Sequence, residues 1–351
     1  MAKIKTTKGV THNKTLAKQI VGWEKKGSDV SNASDALEMA QMAGLDWTVN
    51  LAEIYTPNGT STPWRQAVKV DRNGEETPLS IVPDDNWEVL GNLDFCDRAL
   101  KIAQSFGGIV SRAGWCMKET KAVGQKSFNW AMVKPGLGIA DDCALDTSEG
   151  IQPIIFLTSG TCYGLGYHCR MMFLRSICQN GMISMQNTAV RTTHQTDSAF
   201  ENFTFEQVKE AVRVHNLEKQ VLMNTEISQK ASFTWFLENY GKPSAMHQPL
   251  EYHSKKLQTL WAIYNGECDN VFLEAGIDLA QSKIKGSYWG ILQALIAYNN
   301  HFGEGDSNST MIDILHAEKG KEMAKLQQTL TEAARMRAKA GTSIRVGVRA
   351  F

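Results

Sequence analysis

No apolar run in this sequence approaches the ~20 residues that a bilayer crossing demands; Ile154-Ile155-Phe156-Leu157 is typical of the longest stretches. A helical membrane span is thereby excluded, and no membrane partner is expected. The opening Met1-Ala2-Lys3-Ile4-Lys5 lacks the apolar core of a secretion signal. No Cys-x-x-Cys pair occurs among the seven cysteines, an odd count that reads as reduced thiols and predicts a cytoplasmic setting. Net charge is missing as well. The 37 Lys and Arg cancel the 37 Asp and Glu, which excludes a molecule coated throughout in positive charge for a polyanion. There is no internal repeat and no low-complexity tract. What remains is ordinary globular material: 351 residues, 42% hydrophobic and 21% charged, enough for one large domain or two modest ones.

The neutral total hides an uneven distribution. Residues 1–26 hold seven Lys against Glu24, a net +6, and residues 317–351 hold eight Lys or Arg against three Glu, a net +5. The chain between them therefore carries −11. Basic arms of this kind contact phosphate backbones, gaining by release of condensed counterions. The same charges also suit two solvated, frayed ends. Met323, Leu326, Leu330 and Ala334 recur at helical spacing, with Lys325, Arg335, Arg337 and Lys339 on other faces. After Gly341 the period changes: Ile344, Val346 and Val348 alternate with Arg345 and Arg349, which predicts a short terminal strand. Such a strand adds to a sheet edge, in its own chain or in a neighbour.

The coarse pattern predicts an α+β fold: an antiparallel β-meander packed by C-terminal helices, with extended basic arms. Ser31 to Ala43 reads as a capped helix stopped by Gly44. Leu45 to Val49 reads as a strand, and Gln66–Val70 with Leu79–Val82 as a hairpin turning at Asn73-Gly74. Asn92 to Ser105 is an amphipathic helix. Strands follow at 109–119, 126–134, 153–158 and 165–177, with links too short for crossover helices. From Thr204 the period is helical, ending in the apolar segment around Trp289, Leu292, Leu295 and Ile296. The expected organisation is an arm over 1–30, a core over 31–305 and a basic helix with terminal strand over 306–351.

Several segments stand in a familiar order: Ala43-Gly44-Leu45-Asp46-Trp47, Leu79-Ser80-Ile81-Val82, Val89-Leu90-Gly91-Asn92, the four-strand region, Arg175-Ser176-Ile177-Cys178-Gln179-Asn180-Gly181-Met182, His194, and Tyr288-Trp289-Gly290-Ile291-Leu292-Gln293-Ala294 through His301. In this order the sequence resembles the phage and plasmid-like protein family, whose core is a domain of unknown function, over roughly residues 34–302. The resemblance implies a phage or mobile-element origin, the host cytoplasm, and no established reaction. Where such proteins carry an Asp-Gly turn after the strand ending near Leu157, this chain has Ser159-Gly160-Thr161.

Candidate chemistry divides into enzymatic and binding readings. The glycines between Gly160 and Gly166 precede a strand, whereas a phosphate cradle needs a helix N-terminus. His168 and Cys169, adjacent on a strand, point to opposite faces and cannot share an ion. No structural metal and no cofactor are expected. A metal-dependent nuclease would use Asp85, Glu119 and Lys121; a nucleophilic enzyme would pair Cys178 with His194. The polar segment holding Arg175, Gln179, Asn180, Arg191 and His194 offers donors for phosphate oxygens. The hairpin from Arg112 to Lys134 interleaves Trp115, Phe128 and Trp130 with lysines, as a single-strand stacking platform would. A buried Phe128 would exclude that platform.

The leading expectation is a nonenzymatic DNA metabolism protein that binds nucleic acid, preferably single-stranded DNA, and forms a homo-oligomer. Single-strand annealing proteins, which also combine a meander with helices, supply the analogy. Expected contacts are Lys3, Lys5, Lys8 and Lys14 of the N-terminal arm, Lys118, Lys121 and Lys126 of the hairpin, Arg175, Arg191 and His194 of the polar segment, and Arg335, Arg337, Lys339, Arg345 and Arg349 of the tail. The alternatives are the nuclease and an oligomeric structural or interaction protein.

Overall fold

The computed structural model describes residues 26–83, 90–120, 124–136, 151–161, 166–175, 180–183, 190–192, 205–242, 247–274, 279, 281–302 and 318–347. In chain order the elements are β1 (Ser28–Asp29), α1 (Ala36–Ala43), β2 (Thr48–Tyr55), β3 (Ser61–Val70), β4 (Glu76–Pro83), α2 (Asn92–Ser105), β5 (Ile109–Thr120), β6 (Gly124–Lys134), β7 (Ile151–Gly160) and β8 (Tyr167–Arg175). They continue with β9 (Asn180–Ile183), β10 (Val190–Thr192), α3 (Phe205–Asn224), α4 (Gln229–Tyr240), α5 (Lys255–Tyr264), α6 (Asp269–Glu274), α7 (Gln281–Ile284), α8 (Tyr288–His301) and α9 (Glu318–Gly347). Strands dominate the first half and helices the second, so the fold is α+β.

Strands β5, β6, β7 and β8 pair in sequence order, each antiparallel to the next. That is the meander expected from their short links. The hairpins β2–β3 and β3–β4 form a three-stranded wing. Among the described residues the wing's strands pair with the meander at one position, Ser80 against Gly124. This happens where β7 has ended its pairing with β6 at Phe128, so β4 takes up the edge that β7 leaves. Gly59 and Gly74 close the two wing hairpins with φ of 78° and 81°, a conformation side chains resist.

Alternation along the meander separates two faces. On the core face lie Ala131, Val133, Ile155, Leu157, Cys169, Met171 and Phe173, all within one contiguous hydrophobic core. On the second face lie Cys116, Phe128, Trp130, Met132, Ile154, Phe156 and Met172, equally buried but outside that core. Trp130 stacks on Phe156 with ring centroids 5.7 Å apart. Its indole also crosses β5 at a glycine: a Cβ on Gly114 would stand 3.3 Å from the ring, and one on Gly27 2.5 Å. Gly114 on β5 and Gly27 just before β1 thus make room for one large ring.

Helix α2 covers the core face over β5 and β6, and α3 and α8 continue the layer toward β8 and β9. Helix α8 is apolar nearly all round and buried nearly all round, the signature of a central helix. Serines cap three helices: Ser228, Ser254 and Ser287 accept hydrogen bonds from the backbone N–H of Ala231, Leu257 and Gly290. In α1 the cap is Asp35, which accepts from Glu38 N–H at 2.8 Å, while Ser34 N–H donates back to Glu38 at 2.8 Å.

Two local expectations are corrected. Leu45 to Trp47 is not strand, since β2 begins at Thr48. The carbonyls of Leu45 and Trp47 instead accept from Asn92 Nδ2 at 2.9 and 2.6 Å, so a side chain replaces the ladder. The terminal strand around Ile344 is also absent: α9 runs through Gly341 to Gly347. Extending a formed helix adds one backbone hydrogen bond per residue, whereas a lone strand gains none without a partner. Val348 and Arg349 lie outside the described residues.

Candidate nucleic-acid interface

The C-terminal helix presents the clearest charged surface. Leu330, Thr331 and Ala334 of α9 are buried against the body, with Gln327 donating to Glu218 of α3 at 2.9 Å. Residues 335–340 are then exposed without exception. The stripe seen in the sequence therefore anchors the helix, and the anchor gives way to solvent after Ala334. Arg335, Arg337 and Lys339 follow at once on the exposed part, and Arg345 lies on the same helix. Residues 335 and 339 are one turn apart on one side of the helix, with 337 nearly opposite, so a polyanion could be met from either side. Arg345, in the last turn, also complements the negative end of the helix dipole.

The N-terminal candidates Lys3, Lys5, Lys8 and Lys14 lie outside the described residues. The arm's last segment is fastened to the sheet. Arg112 Nε donates to the carbonyl of Lys26 at 2.9 Å and its Nη2 to that of Gly27 at 2.7 Å, and β1 pairs with β5. Lys26 itself is buried. Residues 26–29 are thus sheet edge, and any reach of the arm begins before them.

The stacking platform on the Arg112–Lys134 hairpin is overturned. Phe128 and Trp130 are fully buried on the second face of the sheet, where rings serve packing and offer no surface to a base. Trp115 meets Trp47 edge-on at 5.5 Å, with Lys69 Nζ 5.4 and 5.1 Å from the two ring centroids. That cation–π contact had no sequence signal, because it joins three segments only through the fold. Lys118 and Lys126 occupy directly opposed positions of the β5–β6 ladder. Lys121 lies outside the described residues.

On β8 the register runs without a shift, placing positions 170 and 175 on opposite faces. Arg175 pairs with Ile151 on one side and Asn180 on the other. Position 191 of β10 sits across from His168, which itself pairs with Thr158. His168 Nδ1 and Arg170 Nη2 lie 3.4 Å apart. The buried Thr158 hydroxyl, on the same row, has no hydrogen-bond partner. Register, not sequence proximity, assembles this row. His194 lies outside the described residues.

The enzymatic readings gain no geometry. Asp85, Lys121, Cys178 and His194 lie outside the described residues, as does the side chain of Glu119. Among the described residues no three His, Cys, Asp or Glu converge as metal ligands. Burial pushes the thiols of Cys96 and Cys268 up to about 12 and raises that of Cys169 as well, far from the thiolate a nucleophile needs. His168 lies on the second face and Cys169 in the core, as alternation requires.

Four of the pieces that carried the family resemblance, Ala43–Trp47, Leu79–Val82, Val89–Asn92 and the strand region, meet at one node. Asn92 ties Leu45 and Trp47 to the start of α2, and its Oδ1 accepts from Asn129 Nδ2 at 2.7 Å. Beside them Ser80 Oγ donates to the carbonyl of Thr161 at 3.3 Å, and the hydroxyls of Ser127 and Thr161 are hydrogen-bonded. This buried polar strip joins wing, helix and meander. A family model described as Domain of unknown function (DUF932) matches residues 99–340. The chain belongs to that family. The match takes in the whole meander, α3 to α8 and most of α9, and leaves the wing outside it. No curated protein and no solved structure matches the chain. Among the described residues no helix is long and apolar enough to cross a membrane.

Proposed function

We propose that this DUF932 protein binds nucleic acid, preferably single-stranded DNA, without catalysing a reaction, in the DNA metabolism of a phage or mobile element within the host cytoplasm. The observation that carries the reading is the exposed stretch 335–340 of α9, where Arg335, Arg337 and Lys339 follow directly on the buried Ala334. The support is electrostatic: a neutral chain gathers +5 over residues 317–351, and it does so partly on a helix segment that contributes nothing to the core. Solvation alone does not require guanidinium groups, whereas phosphate binding uses them. Annealing or recombination is the activity such a grip would serve, with several copies acting along one strand.

The test is a fluorescence anisotropy titration of a labelled single-stranded oligonucleotide at two salt concentrations. The wild type should bind at low salt and weaken steeply as salt rises. Replacing Arg335, Arg337 and Lys339 by Ala should reduce the log–log salt slope by about 2, at roughly 0.7 per phosphate contact on single strands. Absence of binding at low salt rejects the reading. An unchanged slope in the triple variant removes α9 from the interface.

A further inference from the structure

Among the described residues nothing pairs with the outer edge of the wing. Among the described residues β2 pairs with β3 alone, and none of its eight residues is buried. Proteins blunt such edges with lysine, proline or short length. β2 has none of these; Glu53 is its sole charged residue. The strip beside this edge carries no charge and exposes two large apolar side chains. Ala52, Gln66 and Ile81 form one row across the wing, and Trp64 lies on the same face two positions from Gln66. Trp64 and Ile81 remain 43% and 47% exposed.

We propose that two copies of this chain pair along β2, antiparallel, about a two-fold axis perpendicular to the sheet at Ala52. An identical edge is the one partner that satisfies both open edges at once and closes the assembly. Such an axis brings residues of the same face opposite each other, so it must lie midway between the two copies of a single residue. At Ala52 the smallest side chain of the strand meets itself, and the Ile81–Gln66–Ala52 row continues into its copy. Glu53 then faces Leu51 of the second copy, so no two carboxylates are directly opposed; an axis at Glu53 would oppose them. The proposal deepens the homo-oligomer part of the reading above by naming its surface, and it does not depend on nucleic acid.

Sedimentation of the full chain at tens of micromolar, without nucleic acid, should give a dimer or a multiple of two. Ala52→Lys, which places two ammonium groups across the axis, should halve the mass while leaving the far-ultraviolet circular dichroism unchanged. Ala52→Cys should cross-link on mild oxidation, because directly opposed Cβ atoms stand about 4.5–5.5 Å apart; the wild type under the same oxidation is the control. A monomeric wild type, an oligomer that Ala52→Lys leaves intact, or an Ala52→Cys variant that does not cross-link overturns the proposal. Oligonucleotide binding retained by Ala52→Lys would leave the nucleic-acid reading standing through such a failure.

Discussion

The meander β5–β8 and the wing β2–β4 are built from the same antiparallel hairpins, yet they live in different environments. In the middle of the meander both faces are buried, and β7 reads as a continuous apolar run, Ile154-Ile155-Phe156-Leu157. In the wing, Thr48-Val49-Asn50-Leu51-Ala52-Glu53 alternates, and β2 has no buried residue. Continuity of apolar residues thus reports how many faces a strand must cover, as in sheets layered on both sides. The single bridge at Ser80–Gly124 and the polar strip around Asn92 hold the two regions together.

The largest effect should come from one tryptophan in each region. Trp130→Ala removes a fully buried indole wedged over Gly27 and Gly114 and should cost about 3–5 kcal/mol. Trp64→Ala, on the open face of the wing, should cost under about 1 kcal/mol. Chemical denaturation of both variants checks this, and equal losses would break the contrast. Next in size is the junction. Asn92→Ala strands the carbonyls of Leu45 and Trp47 and the amide of Asn129, and should cost about 2–3 kcal/mol by the same measurement. Hydrogen exchange should then show the wing opening before the meander.

The smallest effect is an acid one, and it belongs to the body alone, since the wing contains no histidine. Burial, with Lys219 nearby, holds His215 down at about 3; it is stacked on Phe173 at 3.9 Å. Burial, with a contribution from Lys26, lowers His301 equally, to about 3. Each folded-state value lies below the unfolded value, so the unfolded chain takes up protons first as pH falls. Stability should therefore be flat above pH ~7 and decline below ~6.5, by about 1 kcal/mol per histidine over the first pH unit. Denaturation at pH 7.5, 6.5 and 5.5 reads the slope, and His215→Phe should flatten it.

Much of this fold was legible because it rests on local rules. Asn92 to Ser105 emerged as a helix with those bounds, since its apolar positions repeat at helical spacing and Gly107 stops it with φ of 59°. The four meander strands were legible from turn residues and short links. Leu330 and Ala334 proved to be the anchor of α9 that their spacing predicts. The candidate site was less legible. Phe128 and Trp130 alternate with lysine as a platform would, and alternation alone does not say which face is covered. Ile344 and Val346 alternate as a strand would, yet sit on a helix. Arg191 and His168, far apart in the chain, share a row only through register.

Sequence alone determined where the chain turns, which segments coil or extend, and where cations accumulate, because each depends on a few adjacent residues. Tertiary structure decided that β4 meets β6 where β7 departs, that Trp130 spans two glycines from separate segments, and that α9 turns from buried to exposed after Ala334. Those outcomes depend on contacts between distant segments, and only packing selects among the pairings that local preference allows.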